Sequence, residues 1–224
     1  MNSTSTEFDA TRPLAELTAA LNSLCDEAES ERHGTALVLR LNVPSVPARW
    51  PGETGVSAVN RWERAVRRLE KLDATTVVIA EGHCAGPALE LLLAADVCIG
   101  VSGLTLGLPL NDGHFWPGMA LYRLVRRLGA HRTRQLLLWD TDVSLARAVE
   151  LGLVDRSAAD AEAAEHAAGL LTGHLADRET ALRRQLIDEA ETTEYDEALG
   201  IHLAACDREL RRLRAADEST GRAA

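Results

Sequence analysis

The run from Thr75 to Asp96, TTVVIAEGHCAGPALELLLAAD, constrains the fold of this chain more than any other stretch. A β-branched apolar segment stops at Gly82, a turn passes through His83, Cys84, Ala85 and Gly86, and an apolar helix opens at Pro87. A strand feeding a helix through so short a turn aims backbone N–H groups and the positive end of a helix dipole at one point. The junction therefore reads as an active site that receives negative or developing negative charge.

Around it, helix and strand patterns alternate. Leu14, Leu17, Leu21, Leu24 and Ala28 recur at helical spacing and predict an amphipathic helix ending near Gly34. Thr35–Leu41 reads as a strand, and Asn42–Val56, rich in Pro and Gly, as a loop. Val59, Trp62, Val66, Leu69 and Leu72 restore the helical period. Val97–Val101 and Leu104–Leu108 read as strands, followed by the turn-rich PLNDGHFWPG. Helices are expected from about Pro117 to Leu128, with Arg123, Arg126 and Arg127 away from the apolar face, and from Thr133 to Trp139. Another is expected from Ser144 to Leu151, capped by Ser144 and stopped by Gly152, with a brief strand at Leu153 and Val154. Ala161–Leu175 and Arg178–Leu213 read as helical. The pattern predicts an α/β protein with a mainly parallel sheet in its first two-thirds and an α-helical C-terminal part. The expected organisation is a flexible leader over 1–10, a core over 11–158, a helical part over 159–216 and a flexible tail over 217–224.

Composition narrows the function. The 224 residues suffice for a substantial apolar core without a metal or disulfide. A net charge of −10 repels phosphates at long range, which argues against nucleic-acid or anionic-membrane partners. The N-terminus lacks the basic and apolar regions of a signal peptide, and no run approaches the roughly 18 to 20 apolar residues that cross a bilayer, so a soluble cytoplasmic protein is expected. Cys25, Cys84, Cys98 and Cys206 are scattered without a CxxC pair, so reduced thiols are expected rather than a zinc site or disulfides. Lys71 is the lone lysine, which disfavours lysine-dependent chemistry.

Four segments resemble the crotonase superfamily of enoyl-CoA hydratases and isomerases: VVIAEGHCAGPALELLLAADVCIG, LTLGLPLN, WPGMALYRLVRRLGAHRTRQLLL and VSLARAVELGLVDR, in the family's order. The resemblance covers Thr75–Ala158 and, more loosely, the whole chain. It implies a ClpP/crotonase spiral of ββα units with a C-terminal helical part that builds trimers or larger closed homo-oligomers. It also implies a coenzyme A thioester as substrate or ligand, with no permanently bound cofactor and no metal. The short N-terminus and the GPALE and WPGM segments are most similar to the crotonase-like accessory proteins of dihydroxyphenylglycine biosynthesis. Those proteins assist a type III polyketide synthase that makes 3,5-dihydroxyphenylacetyl-CoA.

Crotonases hold a thioester oxygen with two backbone N–H groups while carboxylates move protons. By the resemblance, Glu90 occupies the position of one catalytic glutamate, and His83, Cys84, Ala85, Gly86 and Pro87 form the oxyanion turn. Leu110 stands where a second glutamate is expected, and Pro87, which has no N–H, stands where a donor glycine is usual. The upstream AGAD-like donor segment is replaced by VPSVPARWPG. Asp112 is the nearest substitute for the missing carboxylate, with His114 and Trp116 beside it. Dehydration or isomerisation of an acyl-CoA or polyketidyl-CoA is then expected, and a non-catalytic subunit that enhances the synthase is the alternative.

Each of these residues has a plainer reading. An acid in a first helical turn is favoured by the dipole, proline is common at that position, and Asn-Asp-Gly is an ordinary turn. Gly82-His83-Cys84-Ala85-Gly86 also fits a G-x-nucleophile-x-G elbow, a minor alternative in which Cys84 serves a cysteine-dependent α/β-hydrolase with Asp155 and His166 following. The arginines after Trp116 suit either a solvated helix face or coenzyme A phosphates. Trp50, Trp62, Trp116 and Trp139, irregularly spaced, read as core or subunit contacts.

Overall fold

The computed structural model describes residues 4–30, 36–42, 49–108, 110–111, 113–139, 142–175 and 178–221. In chain order the elements are β1 (Thr4–Asp9), α1 (Leu14–Ser30), β2 (Ala36–Asn42), α2 (Val56–Glu70), β3 (Thr75–Ala80), β4 (His83–Cys84), α3 (Pro87–Ala94), β5 (Val97–Val101), β6 (Thr105–Gly107), β7 (Leu110–Asn111) and β8 (His114–Phe115). Then come α4 (Met119–Trp139), β9 (Asp142–Ser144), α5 (Leu145–Leu151), β10 (Arg156–Ala158), α6 (Ala161–Leu175), α7 (Arg178–Thr192) and α8 (Tyr195–Gly221). The chain divides between residues 177 and 178 into two compact units, the second made of α7 and α8.

Five strands form a parallel sheet in the order β1-β2-β3-β5-β10. A parallel sheet with helices on both faces buries its central strands twice over, and every residue of β3 is buried. The strand period sorts the side chains. Leu37, Leu39, Leu41, Val78, Ala80 and Cys98 pack with the apolar faces of α1, α2 and α3, whereas Val38, Val77, Ile79, Ile99 and Val101 pack with Ala164 and Ala168 of α6. Arg40 shares the α6 face and pairs with Glu165 at 2.7 Å. A second sheet, β4-β6-β9, joins β4 to β6 in parallel and β6 to β9 antiparallel, and β7 and β8 form a small hairpin.

The structure corrects several expectations. Residues 4–9 are an edge strand rather than a flexible leader. Their register from Thr4 opposite Leu37 to Asp9 opposite Asn42 gives the backbone partners that polar side chains did not advertise. The tail expected from Asp217 is helical as far as Gly221. The strand expected at Leu153 and Val154 lies later, at Arg156–Ala158, because Leu153 and Val154 turn their N–H groups back to Ala148 after the helix stops. α6 belongs with the sheet, in the first unit, rather than with a C-terminal helical part. The Pro117–Leu128 and Thr133–Trp139 helices join as α4, although Gly129 (φ 76°) breaks the helical geometry between them. The Ser144 cap and Gly152 stop of α5 are as expected, with Ser144 accepting the N–H of Arg147. No helix among the described residues is long and apolar enough to cross a membrane.

Candidate active site

The turn expected from the sequence is built. β3 delivers the chain to Gly82, β4 pairs His83 with Thr105 and Cys84 with Leu106, and α3 starts at Pro87. Gly86 is needed for two reasons: its φ of +54° favours glycine, and a Cβ there would lie 3.2 Å from Cβ and Cγ of Trp50. The Gly86 carbonyl accepts the N–H of Glu90 at 3.1 Å, which closes the first turn of α3. No side chain caps this helix at Gly86.

Glu90 is 1% exposed, in a helix whose every residue is buried. Its Oε2 accepts a hydrogen bond from the Trp62 indole N–H, and its Oε1 faces Trp50 Nε1 at 3.5 Å. A methyl group on Gly118 would come within 3.2 Å of Glu90 Oε1 and 2.5 Å of Trp116 Nε1, so these two polar atoms converge on the space beside Gly118. Trp50 and Trp62 meet edge to face, with ring centroids 5.6 Å apart. Burial, and then the charge of Glu63, push the Glu90 carboxyl up to about 7, against the opposing pull of the Trp62 hydrogen bond, the Arg123 charge and the Trp50 contact. A carboxyl that titrates near neutrality can both take and return a proton.

A buried ion network adjoins this pocket. Arg123 of α4 is 6% exposed and bonds Glu63 at 3.0 Å and Glu70 at 2.5 Å, both on α2. Glu63 also accepts the N–H of Met119, the first residue of α4, at 3.2 Å. Arg127 donates to the carbonyl of Ala95. The expectation of a solvated arginine face therefore fails at Arg123. The acids of α2 lie opposite it and satisfy a guanidinium that the packing of α4 would otherwise leave unpaired.

The structure distributes the remaining candidates unevenly. His83 is half-buried with Nδ1 3.0 Å from Thr105 Oγ1, and a Cβ on Gly107 would lie 2.6 Å from its Nε2, so Gly107 leaves the ring its space. Leu110 is exposed in β7 opposite Phe115, His114 is exposed in β8 opposite Asn111, and Trp116 is half-buried. Asp112 lies outside the described residues. Ala85 and Gly86 are half-buried and Pro87 is buried at the first position of α3. Among the described residues, no cluster of His, Cys, Asp or Glu side chains is arranged to hold a metal ion.

Cys84 is fully buried, and burial together with Cys98 raises its thiol well above the ordinary range. Such a thiol is a core side chain, not an exposed nucleophile on an elbow, and the hydrolase alternative fails on this point. Asp155 is engaged elsewhere, accepting the backbone N–H of Cys98 at 2.7 Å.

Sequence reasoning missed Trp50, Trp62 and Glu63 as parts of the site. Trp62 followed the helical period and therefore read as core, which it also is. Trp50 sits in a loop rich in proline, and nothing local tied that loop to α3. The four tryptophans separate in space, since Trp139 is exposed at the end of α4 while the other three meet near Glu90.

A parallel-sheet α/β unit with a strand–turn–helix junction, carrying one buried carboxyl titrating near neutrality, suits proton transfer next to a bound anion or carbonyl. Comparison with known proteins specifies the class. The family model for enoyl-CoA hydratase/isomerase matches residues 56–218. A protein of Amycolatopsis orientalis described as an enoyl-CoA-hydratase is 45% identical over 209 residues, covering 92% of this chain and 94% of the relative. The chain belongs to the enoyl-CoA hydratase/isomerase family.

Solved structures agree on the fold. An enoyl-CoA hydratase/isomerase from Marinobacter aquaeolei superposes with a TM-score of 0.76 at 16% identity, over 94% of this chain and 89% of that one. An enoyl-CoA hydratase from Bacillus anthracis gives 0.75 at 20% identity, over 96% and 93%. A Thermobifida fusca YX protein described as an enoyl-CoA hydratase and solved with acetoacetyl-CoA gives 0.73 at 17%, over 95% and 93%. The architecture is thus the crotonase fold that the sequence implied.

Proposed function

We propose that this protein moves a proton on the acyl part of a coenzyme A thioester, using Glu90 as its acid–base group. The reading rests on one observation: a single buried carboxyl, held up to about 7, lies at the head of the helix that follows the oxyanion turn. The acyl group is an enolisable acyl-CoA or polyketidyl-CoA, in keeping with a family whose members include a protein solved with acetoacetyl-CoA. The backbone of Cys84 to Gly86 holds the thioester oxygen. Glu90 takes the α-proton, the C–H electron pair becomes the C=C of the enolate, and the oxygen bears the charge. Returning that proton to another carbon completes an isomerisation. Delivering it to a β-hydroxyl releases water and leaves an enoyl thioester.

With Leu110 in place of a second glutamate, and Pro87 lacking an N–H to donate, addition of water by two carboxylates is not the reaction we assign. The catalytic pair is degenerate, and dehydration or isomerisation during formation of 3,5-dihydroxyphenylacetyl-CoA by a type III polyketide synthase is the role proposed. Leu110, His114 and Trp116 are proposed to border the acyl group. A homotrimer or larger closed homo-oligomer is proposed as well, supported by exposed apolar side chains on the C-terminal helices, among them Ile187, Leu199, Leu203, Leu210 and Leu213.

One observation favours the accessory-subunit alternative: the Trp50 side chain lies against Gly86, at the turn where the thioester oxygen is proposed to bind. Reconstitution with the synthase separates the two readings. Glu90→Gln is expected to keep folding and assembly while losing most of the stimulation of product formation. If Glu90→Gln stimulates the synthase as well as the parent, the protein is an accessory subunit and Glu90 is structural.

A further inference from the structure

The resemblance implies a carboxylate at the position of Leu110, and the residue after Leu110 does something else. Asn111 turns its side chain to the loop at Trp50, accepting the Trp50 backbone N–H on Oδ1 at 3.1 Å and donating from Nδ2 to the Trp50 carbonyl at 2.6 Å. A side-chain amide is suited to this because it pairs a donor with an acceptor, matching the two polar groups of one backbone residue; a carboxylate offers acceptors alone and leucine offers neither. The two bonds span 61 positions of sequence and fix the loop residue whose ring covers Gly86 and whose indole N–H faces Glu90.

We propose that Asn111 is a positioning residue that acts through Trp50, so that the arm of the pocket opposite Trp62 is an indole donor delivered by the hairpin. This rests on the reading of Glu90 as the proton-moving group. The geometry gives the two indoles different tasks. Trp62 is buried and donates its indole N–H to Glu90 Oε2, so it fixes the carboxyl. Trp50 is half-buried, and at 3.5 Å from Oε1 its contact lies beyond the usual hydrogen-bond range, so a substrate oxygen competes for this donor on favourable terms. An indole N–H donates without titrating. It can therefore orient a thioester, a hydroxyl or the carboxyl, while all proton transfer stays with Glu90.

The test uses full-length protein labelled with ¹⁵N at the indole nitrogens, with the Trp50 and Trp62 signals identified from Trp50→Phe and Trp62→Phe. Glu63 from α2 and Arg123 from α4 are the charged groups acting on Glu90, and both are kept in every variant. In the parent, both indole signals should follow the Glu90 titration near pH 7. In Asn111→Leu the Trp50 signal should cease to follow it while the Trp62 signal continues, and Asn111→Asp, which keeps one of the two bonds, should fall between. Deuterium exchange at the α-carbon of phenylacetyl-CoA should fall about tenfold or more in Asn111→Leu, since small misplacements near the reacting atoms are costly. The fall should be no larger in the Trp50→Phe/Asn111→Leu double variant than in Trp50→Phe alone. Unchanged Trp50 titration in both Asn111 variants, or additive losses in the double variant, overturns the proposal. If the parent itself exchanges no α-proton, the proposed function fails, while the indole titrations still decide whether Asn111 positions Trp50.

Discussion

The two sides of the pocket contrast in how they are made. On one side, α2, α3 and α4 enclose Glu90 with Trp62, Glu63 and Arg123, in a setting where each polar group has a partner and little water enters. On the other, the β7–β8 hairpin exposes Leu110, His114 and Phe115, and meets the first side through Asn111 and Trp50. The difference teaches where chemistry can reside. Burial enforced by packing, with the charge of Glu63 beside it, raises the Glu90 carboxyl toward neutrality, and the helical side supplies both. The hairpin side leaves its side chains exposed, and there Leu110 stands where the resemblance implies a second acid.

The contrast is broken most severely at Arg123. Replacing it with methionine leaves Glu63 and Glu70 without their buried cation, and a loss of about 3–5 kcal/mol in unfolding free energy is expected from urea titration. A loss below about 1 kcal/mol would show that the helical side does not depend on this network.

Next comes the proton linkage of Glu90. Its carboxyl is raised from 4.5 to about 7 in the folded chain, so the folded state binds more protons than the unfolded state between those values. Stability from this group is fully present below the unfolded value and is lost as pH rises through about 7, amounting to about 2–3 kcal/mol between about pH 5 and pH 8. Glu90→Gln keeps an acceptor for the Trp62 indole but has nothing to ionise. Its stability should therefore lack this decline, as denaturation at the two pH values will show; an equal decline in parent and variant would contradict the assigned titration.

The smallest effects belong to the hairpin. Leu110→Glu and His114→Ala alter exposed side chains and should each change stability by no more than about 0.5 kcal/mol. A loss of several times that in either variant would mean the hairpin is packed as tightly as the helical side.

Much of this was legible in the sequence, and the illegible parts share a cause. The strand–turn–helix junction, Glu90 in its first turn, the capped helix from Ser144 to Gly152 and the parallel sheet each announce themselves within a few residues, through local propensity and periodicity. What the sequence hid depends on contacts between distant segments. β1 is polar and looks frayed until β2 supplies its ladder partners. Arg123 looks solvated until Glu63 and Glu70 are brought opposite it. Trp50, in a loop with no period to read, joins the site only because Asn111 and Gly86 receive it. The cysteine elbow, a minor alternative, fails on the same ground, since a short pattern says nothing of burial and Cys84 is enclosed completely.

The central claim is that one buried carboxyl moves the proton. The measurement that tests it most directly is deuterium incorporation at the α-carbon of phenylacetyl-CoA or butanoyl-CoA in D₂O, followed by mass spectrometry across pH for the parent and Glu90→Gln. The account predicts that exchange by the parent rises with pH through about 7, as Glu90 becomes the free base, and falls by about 10²–10⁴-fold in the folded Glu90→Gln protein. Equal exchange by the two proteins, or exchange by the parent no faster than in buffer, would contradict it.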